Sequence, residues 1–279
     1  KLSAENATTA SVKRVSRKAT CVLCVSATPQ KAYPAQLYEQ LNLIKPGVFN
    51  SKREFEIRYC DGKTNRWGEW EAKGATYSSE LHACLLKLMI RPTDKLSMIR
   101  DLPPLTREDV FLELGDKVKK RFAEYAAEYE RLTKKMWEGS EEAKAERDAS
   151  VMRAYRESGL VKIDAFFEWW KTKNERDKTV IFCVHENVMD AVCSRLKPGS
   201  FVKILGTTPA KKRYGMLKPL CDPKNTQKTV GVLSLGTCAE SLNLVPGVNV
   251  VIQLEFSHTP AINDQCPGRV WRKGCEKPV

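Results

Sequence analysis

The chain has 279 residues, a length that fits about two domains. Of these, 42% are hydrophobic and 29% charged, with 15 glycines and 14 prolines, which excludes a wholly disordered, collagen-like or low-complexity polypeptide. Lys and Arg number 47 against 34 Asp and Glu, a net charge of +13, and so basic a balance favours a polyanionic partner, most often nucleic acid.

The chain opens KLSAENATTASVKRVSRK, polar and basic, with no apolar segment of the kind a signal peptide needs. It lacks an initiator Met and ends EKPV directly after a cluster of arginines; both ends look cut, so a fragment of a longer chain is expected. No run approaches the ~18 consecutive apolar residues of a transmembrane helix. Of the ten cysteines, only Cys21 and Cys24 form a C-x-x-C, inside the apolar run CVLCVSAT. A zinc ribbon needs a second such pair to complete four ligands. His82, His185 and His258 stand at ligand spacing from none of the cysteines. The thiols are therefore expected to be reduced, buried and packed as small apolar groups, with no metal site, in a cytosolic or nuclear compartment.

In chain order, residues 20–27 read as a short β strand ended by the turn residues of 28–34. Residues 35–46 read as a short helix, and 50–78 as polar and irregular. Residues 79–92 read as a helix capped by Ser79 and stopped by Pro92. Residues 106–113 read as a strand. Residues 115–158 read as one or two long helices broken near Gly139, with Phe122, Tyr125, Tyr129, Leu132 and Trp137 as a packing stripe on a charged, solvated helix. From Gly159 the pattern alternates between helices and apolar strands: VKIDAFFEWWKTK, KTVIFCVHE, NVMDAVCSRLK, FVKILGTT, AKKRYGMLKPLCD, TVGVLSLG and GVNVVIQLEF. INDQCPGRVWRKG starts a further helix, against which Pro267 counts. Such alternation indicates an α/β fold, a parallel sheet covered on both faces.

Three constellations could carry chemistry. The sharpest is Gln265-x-x-Gly268-Arg269-x-x-Arg272-x-Gly274. Two arginines three apart share one face of a helical turn and could straddle a triphosphate, since the planar guanidinium binds phosphate oxygens bidentately. The plain alternative is a basic surface helix. The second is Ser26-Ala27-Thr28-Pro29 at a strand end, where hydroxyls could relay between a nucleotide site and a neighbouring lobe, or simply end a strand. The third is the strand–loop–strand run 229–260, with Ser234, Thr237 and Asn243 in its loop; α/β sheets place ligands at such loops, and the alternative is a solvated loop. A G-x-x-x-x-G-K-[ST] phosphate loop is absent from the sequence, as is a D-E-x-x acidic pair after an apolar strand. Nothing here can hold a β-phosphate and Mg²⁺ together, so this chain alone is not expected to hydrolyse a nucleotide.

The order SATP, KTVIFCVHE, ILGTTPAKKR, then the Gln265–Gly274 cluster resembles the second half of a superfamily 2 helicase motor, more narrowly the Swi/Snf-type DNA translocases. The block EFEIRYCDGKTNRWGEWEAKGATYSSELHACLLKLMIRPTDKLSMIRDLPPLTRE resembles the annealing-helicase, HARP-type branch. The resemblance covers roughly residues 20–279. It implies a RecA-like second helicase lobe at 159–279, a mostly helical insertion region at 30–158, and the last strand of the first RecA-like lobe within 1–29. It implies that Ser26, Ala27, Thr28 and Pro29 couple hydrolysis to DNA contact, and that Gly206, Thr207, Thr208 and Arg213 form a nucleic-acid segment. Residues 234–244, including Ser234 and Thr237, would touch DNA backbone and nucleotide, and Glu255 and Pro260 match the strand and loop that follow. Gln265 and Gly268 would face the nucleotide, with Arg269 and Arg272 as fingers on ATP whose Mg²⁺ is held mainly by a first lobe.

The sequence also departs from the family. Ala239 and Ser241 replace two usual glycines, and Pro92 replaces an Arg. Pro267 and Gly268 replace an acidic pair, and Cys275 replaces a final Gln. The implied function is an ATP-dependent DNA translocase of the nucleus that anneals or remodels branched or forked DNA in repair or fork maintenance. The alternatives are a degenerate, non-hydrolysing DNA-binding scaffold and a chromatin remodeller. DNA is expected to be contacted through phosphates, with residues 117–135 and 211–213 as candidates.

Overall fold

A computed structural model of the chain describes residues 6–26, 28–30, 32–90, 102–173, 177–238 and 242–279. It divides into two compact units, one of Lys1–Met98 with Thr259–Ala261, the other of Ile99–His258 with Ile262–Val279.

The first unit is built from short helices and a hairpin. α1 (Ala7–Ser16) starts at Asn6, whose side chain accepts the Thr9 N–H at 2.9 Å. A 3-10 turn at Pro34–Leu37 leads into α2 (Tyr38–Ile44). α3 (Lys52–Tyr59) lies where the sequence reads as irregular. Ser51 Oγ accepts the Glu54 N–H at 3.1 Å, the N-terminal half of a capping box, and Phe55 and Tyr59, four apart, turn one face inward. Strands β1 (Lys63–Thr64) and β2 (Trp70–Glu71) pair antiparallel. Their turn is tied by Asn65, whose Oδ1 accepts the N–H groups of Trp67 and Glu69, both at 3.0 Å. α4 (Ser78–Leu88) follows Tyr77, held in left-handed backbone at φ 46°. Ser79 therefore lies inside the helix and does not cap it. Leu37, Tyr38, Leu41, Phe55, Tyr59, Cys60 and Leu81 form the core of this unit.

The strand expected at 20–27 is not formed by the described residues of that run. A strand exists through its ladder, and these residues pair with no strand among the described residues; Leu23 and Val25 stay 85% and 86% exposed. The expected strand at 106–113 is also absent. Only Thr106 joins a ladder-like exchange, donating to Val279 O at 2.7 Å while Val279 N–H donates to Pro104 O at 3.1 Å.

In the second unit, α5 (Asp116–Trp137) and α6 (Glu141–Leu160) form an antiparallel pair. Gly139 supplies the break at φ 104°, backbone that an L side chain rarely adopts. Of the aromatic and apolar stripe on α5, Leu132 is buried, whereas Tyr129 and Trp137 are exposed. α7 (Ile163–Trp170) then precedes the α/β layer: β3 (Thr179–Cys183), α8 (Glu186–Arg195), β4 (Phe201–Ile204), α9 (Ala210–Cys221), β5 (Val230–Ser234), the short α10 (Leu235–Cys238) and β6 (Val250–Gln253). The four strands are parallel in the order β4-β5-β3-β6. Successive residues of β3 and β5 alternate between two apolar clusters. Val180, Phe182 and Leu233 pack with Leu217, Leu220, Leu244 and Val270. Ile181, Cys183, Val230 and Val232 pack with Ile163, Phe166, Val188 and Val192. The sheet is thus buried on both faces, as a parallel sheet requires. The chain ends in α11 (Pro260–Gln265) and a 3-10 turn, Pro267–Arg269. Pro267 lacks the N–H that a continuing helix would use, so the expected longer helix stops before it.

In the first unit, Glu80 accepts a fork from Arg58, Nε at 2.8 Å and Nη2 at 2.6 Å, and the Tyr59 hydroxyl at 2.6 Å. These donors, Arg58 foremost, lower its carboxyl from an ordinary value of 4.5 to about 2. A carboxylate whose folded value is depressed stabilises the fold above its unfolded value and loses that contribution as pH falls through the folded one. The stabilisation is therefore complete above about pH 4.5 and disappears towards about pH 2. Glu80→Gln should flatten this part of the acid-unfolding profile, followed by Tyr fluorescence; an unchanged profile contradicts the assignment.

Candidate functional site at the carboxyl edge of the sheet

Because the four strands run parallel, all their carboxyl ends lie along one edge of the sheet, where α/β folds place ligands. Three of the sequence-derived segments leave from that edge.

After β4, the turn 206–208 is self-tied. The Leu205 N–H donates to Thr208 Oγ1 at 3.0 Å, and the Thr208 N–H donates back to Leu205 O at 3.1 Å. Arg213, one turn into α9, donates through Nε to Thr208 O at 2.9 Å and through Nη2 to Gly206 O at 3.4 Å. Its guanidinium therefore holds the loop's shape. Gly206 and Thr207 are exposed, as are Lys211 and Lys212 beside them.

After β5, Ser234 is the last strand residue, half-buried, and Thr237 lies in α10. Ala239 and Ser241 fall outside the described residues. The chain resumes with Leu242 and Leu244 in the core, and there it meets the arginine segment. The Leu244 N–H donates to Arg269 O at 3.0 Å, and Arg272 Nη1 reaches Asn243 Oδ1 at 3.5 Å. The loop after β5 and the arginine cluster are thereby brought together.

The arginines do not share a helical turn. Arg269 closes the 3-10 turn, and Arg272 lies in the irregular turn beyond it. What fixes them is packing of the residues between and around them. Cys266 and Val270 are fully buried and Cys275 nearly so. Trp271 Nε1–H donates to Pro103 O at 2.8 Å, tying the segment to the strap at 102–106. Gln265, Gly268, Arg269 and Arg272 are all half-buried. A group of three or more His, Cys, Asp or Glu side chains able to hold a metal does not occur among the described residues. The donor set at this segment is cationic, which suits phosphate oxygens rather than a cation.

The 206–213 segment follows β4 at one edge of the sheet and Ser234 ends the neighbouring β5, whereas the arginine segment follows β6 in sequence and packs with residues 243–244. Ser26, Thr28 and Pro29 belong to the first unit. There the Ser26 hydroxyl accepts the Thr28 N–H at 3.1 Å, and Pro29 O accepts from Gln40 Nε2 at 2.7 Å. Ala27 lies outside the described residues. Of the nine cysteines whose burial is described, Cys60, Cys183, Cys266 and Cys275 are buried as expected, whereas Cys24, Cys84, Cys193 and Cys221 are half-buried and Cys21 is exposed. Burial pushes the Cys183 thiol up and holds the Cys60 thiol at about 11. Tyr155, His185 and Trp271 carry no role legible in the sequence; their partners lie 70 to 168 positions away.

Comparison with known proteins accords with this layout. Residues 2–159 match the SNF2-related domain and residues 161–274 the helicase conserved C-terminal domain. A SWI/SNF-related matrix-associated actin-dependent regulator of chromatin subfamily A-like protein 1 homolog of Caenorhabditis elegans is 32% identical over 93% of this chain and 37% of its own length. Its Drosophila melanogaster counterpart is 30% identical over 97% of this chain and 35% of its own length. The DNA annealing helicase and endonuclease ZRANB3 of Bos taurus is 23% identical over 92% of this chain and 24% of its own length. The chain thus spans about a third or less of the length of these relatives. Among solved structures, the C-terminal part of the Fun30 ATPase domain superposes with a TM-score of 0.50 at 17% identity, covering 64% of this chain and 84% of that one. The parallel sheet is accordingly of the RecA-like kind.

Proposed function

The chain belongs to the SNF2-related family, and from that membership we propose that it is the C-terminal part of an ATP-dependent DNA translocase that anneals or remodels branched or forked DNA in the nucleus. In this reading residues 159–279 are the second RecA-like lobe, 30–158 a mostly helical insertion and 1–29 the end of the first lobe. The observation that carries it is the arginine segment, pinned by Cys266, Val270 and Trp271 against the core of a parallel sheet and joined through Leu244 and Asn243 to the chain that follows β5.

ATP, when bound, would supply a γ-phosphate whose transfer to water would release free energy for stepping. Arg269 and Arg272 would present guanidinium groups to its oxygens, where charge develops in the transition state. Gln265, Gly268, Ser234 and Thr237 would line the same face. Mg²⁺ and the β-phosphate need a phosphate loop and an acidic pair, which this sequence lacks, so these residues alone do not complete a hydrolytic site. Gly206, Thr207 and Thr208, with their shape held by Arg213, would offer backbone and hydroxyl groups to DNA phosphates beside Lys211 and Lys212. Ser26 to Pro29 would couple the two activities. The annealing-helicase relative, with the charge of +13, supports a branched DNA substrate. A second reading, a non-hydrolysing DNA scaffold, draws on Ala239 and Ser241 in place of glycine, where the backbone is less free.

Two outcomes test the proposal. Phosphate contacts release counterions, so DNA binding by this chain should weaken about a thousandfold between about 50 and 200 mM salt, the loss for about six contacts; salt-insensitive binding contradicts it. In the full-length protein, Arg269→Ala should lower kcat for ATP hydrolysis about a thousandfold, the worth of an arginine finger, with DNA binding retained. Undiminished hydrolysis in that variant rejects the finger assignment.

A further inference from the structure

Glu255, just beyond β6, is a carboxylate only 2% exposed. Its Oε2 accepts the N–H groups of Val184 at 2.8 Å and His185 at 3.0 Å, and its Oε1 lies 2.7 Å from His185 Nδ1. It therefore bolts the residues that follow β3 to those that follow β6. Burying a carboxylate is costly unless its hydrogen bonds are directed and complete, so the site specifies geometry more than it adds stability.

Helix α6 completes the arrangement. At Gly159 a Cβ would stand 2.5 Å from Glu255 Oε1 and 2.6 Å from Val188 Cγ2, so only glycine lets the helix pass this close. One turn earlier, the Tyr155 ring meets His185 edge-on at 4.8 Å and His258 at 4.3 Å. Its hydroxyl donates to Phe256 O. Burial, with the Glu255 charge second, raises the Tyr155 phenol above its ordinary value, so it stays a donor. Lys162 Nζ donates to Leu254 O at 2.8 Å. Three consecutive residues just beyond β6, 254 to 256, are thus each held by groups from other elements. Asn263 then closes the loop, accepting the Ser257 N–H at 2.8 Å and donating to Ser257 O at 2.9 Å. Two residues later the arginine segment begins.

We propose that Tyr155, backed by Glu255 and His185, is a positioning residue for the arginine segment: α6 fixes residues 254–258, Ser257 in turn holds Asn263, and through Asn263 the place from which Arg269 and Arg272 present their guanidinium groups is set. Tyr155 itself touches no nucleotide. The functional half of this inference rests on the proposal that those arginines face ATP.

Tyr155→Phe keeps the ring and removes the hydroxyl bond. Amide hydrogen exchange on the full chain should quicken about fivefold across residues 256–263, the effect of one lost hydrogen bond, with β3 unchanged. Tyr125→Phe is the matched control, losing a 2.8 Å hydroxyl bond to Glu157 on the same helix, and should leave 256–263 unaltered. In the full-length protein, Tyr155→Phe should lower kcat for ATP hydrolysis about fivefold, on the same footing, and leave KM within about twofold, a split that the control does not show. No selective quickening, or an equal effect in both variants, overturns the positioning claim. Selective quickening with unchanged kcat overturns its consequence for the arginines. If Arg269→Ala leaves hydrolysis intact, the nucleotide-facing assignment fails, and the exchange result distinguishes that failure from this one.

Discussion

Strand β3 is enclosed on every side. All five of its residues are buried, it bonds β5 on one flank and β6 on the other, and its side chains alternate between two apolar clusters. A parallel strand in that position has no freedom of register, because a one-residue slip would exchange its two faces. The rest of the second unit follows from it. The helices must cover both faces, the connections must run back over them, and the four carboxyl ends must emerge along one edge. That edge is where polar residues can be placed without disturbing the core, so the loops there vary in chemistry while the strands beneath stay apolar.

The arginine segment shows how such a loop is held without regular structure. Pro267 removes the option of a continuous helix. Successive turn bonds, Arg269 N–H to Cys266 O and Trp271 N–H to Pro267 O among them, act with buried Cys266 and Val270, and the backbone bond between Leu244 and Arg269 and the Trp271 bond to Pro103 are the ties to the rest of the unit. On the other side, the Glu255 carboxylate and Asn263 fix the chain that leads in. The guanidinium groups need not be locked themselves if the backbone that carries them is.

Much of the second unit was legible in the sequence. Four short β-branched runs spaced by helices of moderate length read as a parallel sheet, and each was found at its place, because two-sided burial leaves a continuous apolar signature. Gly139 marked the break between α5 and α6 for a local reason, its φ of 104°. The first unit was less legible. The run at 20–27 has the composition of a strand, yet strand formation is a property of a pair, and composition says nothing about the partner. α3 was missed because its apolar face is only Phe55 and Tyr59, although Ser51 and Glu54 carried a capping signal. The Ser79 cap failed because Tyr77 in left-handed backbone starts the helix one residue earlier. The Glu255–His185–Tyr155 cluster could not be read at all: its members stand 30 to 100 positions apart and are related only by the fold. The arginine pair was legible as a motif, but its setting was not: Arg269 closes a 3-10 turn and Arg272 lies beyond it.

The central claim is that the arginine segment serves a working ATP-driven motor. It is tested most directly by ATP hydrolysis of the full-length protein with and without forked DNA. The account predicts hydrolysis that rises strongly when the fork is added. Absence of hydrolysis, with fork binding intact, would contradict it and leave the carboxyl edge as part of a DNA-binding scaffold.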